Sequence, residues 1–264
     1  MKFKLLASAL MDKRNIGVLL TSEAFVYLIQ NMAPDRIAPG PALYAAGFAV
    51  YAGFVIYSTL DKRFVDNFLH RQKVKTIKML NNTCLKLFAT AKKYTNAVYY
   101  KKLKKVMDDR NEIFESFFRG SQSELKENIV EKTLNLVVSY IKLLTNFCIR
   151  SRELAHVKID EIITRLNENT RKINFINDPD VAQNISQMIE LDRKIISRVN
   201  EEKNELEKIR TKLDFMESSI GMFKHQIISN IESSETLNHL DDVIVEAMAL
   251  DSVLESRKKN RLRI

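Results

Sequence analysis

After Leu60 the chain runs for 204 residues (264 − 60) with one proline, Pro179, and two glycines, Gly120 and Gly221. Proline and glycine are the residues that end helices, so a stretch this poor in them can fold into little other than long helices. No run alternates Val, Ile and Thr between turn residues, as a strand would require. The other three prolines, Pro34, Pro39 and Pro41, crowd into one short segment near the start.

Two apolar segments flank that segment. Ile37 to Leu60 holds 24 residues with no charged side chain. A helix of that length reaches roughly 36 Å, against a bilayer core of about 30 Å. Ile16 to Ala33 is shorter and carries Glu23 and Gln30. The pattern predicts an all-α membrane protein with an N-terminal transmembrane helical hairpin, spans near 16–33 and 37–60. A competing reading lays 16–33 on the membrane surface. Lys2, Lys4, Lys13 and Arg14 precede the first span, and a strongly basic stretch follows Leu60. The positive-inside rule then places both ends in the cytoplasm, and a bacterial inner membrane is the expected location. Residues 1–14 read as a short amphipathic start, since their apolar run is too short for a signal peptide.

In the main span Ala42, Ala46, Ala49 and Gly53 form a small-residue face that would admit a close helix neighbour. Glu23 is the one ionisable residue deep in either segment. It reads as an intramembrane contact for a partner, or as a carboxylate satisfied by its own neighbours.

Residues 61–123 read as basic stalk helices. From Lys62 to Lys105 there are 13 Lys and Arg and a single acid, Asp66. Lys92, Lys93, Lys101, Lys102, Lys104 and Lys105 form the densest group, a candidate docking surface. Anionic lipid headgroups, nucleic acid, or an acidic protein surface, including this chain's own, would each complement it. No nucleic-acid motif accompanies it, which disfavours that option.

Residues 124–232 predict a coiled-coil hairpin. Asn177, Asp178 and Pro179 mark its turn, with Asp178 as N-cap and Pro179 at the first helical position. The expected arms are 124–176 and 180–232. The second carries a 4-3 apolar repeat through Val181, Ile185, Met188, Asp192, Ile195 and Val199. A sustained seven-residue repeat implies a helix partner, either the other arm antiparallel or a second chain in parallel. Reflection about the turn sets Arg165 against Asp192, a predicted seam pair. Residues 233–264 read as a last helix and a basic tail, the helix folding back onto the bundle.

Cys84 and Cys148 lie among apolar residues and read as reduced core thiols. The histidines show no metal-ligand spacing, and no phosphate loop or catalytic set is present. No cofactor or metal is therefore expected. The expected function is a non-enzymatic, membrane-anchored coiled-coil scaffold or adaptor. It would present a cytoplasmic rod for self-assembly or for a partner protein. Two alternatives are an accessory subunit of a membrane transport or signalling complex, contacting its partner through Glu23, and a membrane-remodelling protein using basic helices.

Overall fold

The computed structural model describes residues 2–32, 40–119, 123–229, 235, 238–246 and 249. Among them the chain is almost entirely helical, with no strand. It divides into two compact units, Met1–Lys75 and Thr76–Ile264.

The first unit contains α1 (Lys2–Leu10), α2 (Lys13–Met32) and α3 (Gly40–Leu60). Its polar linchpin is Asn15, which is 1% exposed. The Asn15 amide donates to the Ala9 carbonyl at 2.7 Å, and its oxygen accepts from Ser58 Oγ at 3.0 Å. Tyr51 adds a bond from its hydroxyl to the Leu10 carbonyl, 2.9 Å. Three helices are thus tied at one corner by bonds that are costly to break once buried.

The expected transmembrane hairpin does not stand. Among the described residues, no helix is long and apolar enough to cross a membrane. α2 begins on Lys13 and Arg14 and carries Glu23 at its middle. α3 (Gly40–Leu60) carries Tyr44, Tyr51, Tyr57, Ser58 and Thr59 along its length, and Tyr51 and Ser58 donate their hydroxyls to α1 and α2. The integral-membrane class, the bacterial inner-membrane location with cytoplasmic termini, and an intramembrane role for Glu23 all rested on that hairpin and are withdrawn with it. Of the connection between the two expected spans, roughly Gln30 to Pro41, residues 33–39 lie outside the described residues.

α4 (Lys62–Ala91) has residues in both units. The second unit continues with α5 (Ala97–Arg119), α6 (Glu124–Ala155), α7 (Ile159–Lys172), a 3-10 turn (Ile173–Phe175) and α8 (Pro179–Ile228). Local chemistry sets these boundaries. Asn96 Oδ1 accepts from the Tyr99 amide at 3.0 Å and starts α5. Ser123 caps α6 through the Lys126 amide, 3.0 Å. Asp178 caps α8 by accepting from the amides of Asp180 and Val181 at 2.9 and 3.4 Å, with Pro179 in the first turn. Each such cap contributes about 1 kcal/mol.

The first arm of the hairpin is not one helix. It breaks at His156–Lys158, with Arg152 in the last turn of α6 and Asp160 and Glu161 in the first turn of α7. Cations at a helix C-terminus and acids at an N-terminus are the arrangement the helix dipole favours, so this charge order stabilises the break.

The core lies at one end of the second unit. Phe117 of α5, Leu134 and Tyr140 of α6, and Met216 and Phe223 of α8 are fully buried there, with Ile77 and Cys84 of α4. The segment 238–246 closes it: Leu240 is 0% exposed, and His239 packs edge-on to Phe223 with centroids 6.0 Å apart. Burial holds both thiols, Cys84 and Cys148, up at about 11, the range of an inert core cysteine. Beyond Val199, toward the α7–α8 turn, the unit thins to two helices.

Candidate functional site

Two surfaces of the second unit are candidates: the two-helix tip and the basic face of α5. The tip is built by α7, the 3-10 turn and the first part of α8. Ile162, Leu166 and Asn169 of α7 turn inward against Ile185, Ile189, Asp192 and Val199 of α8. Asp192 is 1% exposed, in the middle of this otherwise apolar seam. Arg165 meets it: the guanidinium donates through Nε at 3.0 Å and through Nη2 as well, a bidentate pair. These bonds hold the Asp192 carboxyl below its ordinary range, and the Arg165 guanidinium above its own. A second bridge, Arg150 Nη2 to Glu202 Oε2 at 2.6 Å, joins α6 to α8 where the tip meets the bundle. The antiparallel register is therefore fixed by two ionic cross-links, 150 to 202 and 165 to 192.

The helix rotation differs from the expected one. Ile185, Asp192 and Val199 lie on the seam, but Ala182 and Ile189 accompany them where Val181 and Met188 were expected, while Ile195 and Ile196 are both half-buried. Only half of the seam positions move, each by one residue, so the centre of the seam turns by about 50° around the helix. It leaves Val181 42%, Met188 45% and Leu191 58% exposed, and Phe175 at the turn is 84% exposed. Asn177, Asp178 and Pro179 form the exposed apex.

The six lysines of the basic group divide. Lys102 pairs with Asp214, and Lys105 with Glu217 at 2.8 Å, so two of them fasten α5 to α8. Lys224 returns the link, reaching Asp109 at 2.7 Å and Glu112 at 3.3 Å. The rungs run in the same order along both helices, so α5 and α8 are parallel. Lys92 lies over the Tyr100 ring, 5.8 Å from its centroid. Lys93, Lys101 and Lys104 are exposed and make no ion pair among the described residues.

In the first unit, the Glu23 carboxylate lies against α3 at Gly47, where an added Cβ would sit 3.0 Å from Oε1. That oxygen is buried with no hydrogen-bond partner among the described residues. Ala46, Ala49 and Gly53 are exposed; Gly47 and Val55 are the buried positions of α3 among the described residues. The small-residue face is thus not where α3 meets α2, and the side chain of Ala42 lies outside the described residues. The helices approach closely at Gly47, which the sequence reading did not single out. Its place one turn from Tyr44 and Tyr51, between larger neighbours, was the available signal.

No three His, Cys, Asp or Glu side chains among the described residues are placed to hold a metal. The arrangement offers helix surfaces and charge. Comparison with known proteins finds no match to a family model, to a curated protein or to a solved structure.

Proposed function

We infer that this chain is a non-enzymatic helical scaffold, a bundle that carries a two-helix rod and offers it to a further helix, of its own kind or of a partner protein. One observation carries the reading. The seam between α7 and α8 is closed and cross-linked by Arg165 and Asp192, yet large apolar side chains remain outside it on the same rod, Phe175 at the apex and Met188 and Leu191 along α8. A rod that needed only its own two helices would leave those positions polar. The free lysines Lys93, Lys101 and Lys104 favour an additional acidic protein surface as a docking partner on the bundle.

A photo-crosslinker at Asn177, in cells that make the protein, tests the scaffold reading. Capture of the same chain makes the rod self-assembling. Capture of one different protein, identified by mass spectrometry, makes it an adaptor. Absence of any protein adduct overturns both.

A further inference from the structure

α8 carries two parallel coiled-coil seams, and only one of them is filled. The filled seam, Ala182, Ile185, Ile189, Asp192, Ile196 and Val199, steps 3-4-3-4-3 and faces α7. The second, Val181, Asn184, Met188, Leu191 and Ile195, steps 3-4-3-4 and lies beside it, offset by one residue. Three of its members are 42–58% exposed, and no helix of the chain covers them among the described residues. Regular 3-4 spacing over two heptads is the demand of a helix partner, since a scattered set of apolar residues has no such period.

Charge selects the occupant. The start of the open seam is acidic, with Asp178 and Asp180, and its end is basic, with Lys194 and Arg198. Among the described residues Lys194 has an ion pair, an exposed one to Glu190 within its own helix, and Arg198 has none. Such exposed pairs are weak and exchange readily. Laid antiparallel on a second copy of itself, the seam places Val181 against Ile195 and Met188 near the two-fold axis. Asp178 and Asp180 of each copy then lie beside Lys194 and Arg198 of the other. A parallel arrangement would set acid on acid and base on base. An isologous two-fold contact of this kind is closed, so it yields a dimer rather than a fibre.

We propose that α8 is a homodimerisation helix, and that a second copy of this chain docks antiparallel along Val181–Ile195 to make a four-helix tip from two hairpins. The proposal rests on the scaffold reading and narrows it to one partner. Asn184 is the polar member of the new seam, a position that in coiled coils fixes register at some cost in strength.

Sedimentation equilibrium of the purified full chain, with variants, tests it. The chain is expected to dimerise, and Leu191→Asp to weaken dimerisation roughly 100-fold or more, because each dimer loses two buried leucines. Leu191 is exposed in the protomer, so helix content by circular dichroism should not change. Mild oxidation supplies a second readout. Met188→Cys is expected to form a disulfide dimer, and Val181→Cys to form one only when mixed with Ile195→Cys; native Cys84 and Cys148 are buried. A monomeric wild type, a dimer indifferent to Leu191→Asp, or self-linkage of Val181→Cys overturns the proposal. If any of these occurs while the Asn177 crosslinker captures a different protein, the scaffold reading survives and the homodimer does not.

Discussion

Replacing Tyr140 with Phe should stabilise the second unit, against the usual direction for a core substitution. Tyr140 is fully buried on α6, and its hydroxyl has no hydrogen-bond partner among the described residues. Burial pushes the phenol well above its ordinary titration range, and the nearby carboxylates of Glu217 and Asp214 push it further. An unpaired buried hydroxyl costs about 1–3 kcal/mol. Removing the oxygen recovers that cost and forfeits a few dispersion contacts, about 0.1–0.2 kcal/mol per atom pair. The net expectation is a gain of about 1 kcal/mol with the ring packing unchanged. Urea unfolding of the full chain followed by far-ultraviolet circular dichroism measures it, provided wild type and variant share one m-value. A loss of about 1 kcal/mol or more would mean that the hydroxyl is engaged in a bond worth keeping, and would refute the reasoning.

Asn15→Ala should cost the first unit about 1–3 kcal/mol, because it leaves the Ser58 hydroxyl without its acceptor and takes from the Ala9 carbonyl the shorter of its two bonds, the other coming from the Asp12 amide at 3.3 Å; faster amide exchange in α1 would report it. Lys224 is held above its ordinary value of 10.5, chiefly by its hydrogen bond to Asp109. A raised folded-state value adds stability that is complete below the ordinary value and lost as pH climbs through the folded one. Stability should therefore fall above about pH 10.5, and Lys224→Met should flatten that part of the profile. Lys102→Gln with Lys105→Gln should lower the melting temperature by roughly 1–3 °C in a salt-dependent way, because both rungs are partly exposed. Lys101→Gln with Lys104→Gln should leave the melting temperature unchanged, since neither has an ion pair among the described residues.

The helical character was legible because the chain is nearly free of Pro and Gly, and the α7–α8 turn because Asp178 and Pro179 are an N-cap and first-turn signature in sequence. The pairing of Arg165 with Asp192 could be placed by reflection, since antiparallel register around a short turn leaves little choice. Other features were not legible. The break at His156–Lys158 has no proline or glycine; its signal is electrostatic, Arg152 before it and Asp160 after it. The rotation of α8 escaped because Met188 and Ile189, like Ile195 and Ile196, are apolar neighbours, and a one-dimensional repeat cannot say which of each pair faces α7. The apolar run before Leu60 was read as a span from its composition and length alone, which do not show that its Tyr51 and Ser58 hydroxyls bond to α1 and α2. The division of the lysines could not be foreseen, because it depends on Asp214 and Glu217 more than a hundred residues away.

Whether the open face of α8 is occupied in the cell is the most direct measurement of the account. Photo-crosslinkers would be placed singly at Leu191, in the open seam, and at Ser186, exposed on the opposite side of the same helix, and activated in intact cells. A discrete protein adduct is expected from Leu191 and none from Ser186. No adduct from either position, or equal adducts from both, would contradict the claim that this helix carries a built interaction surface.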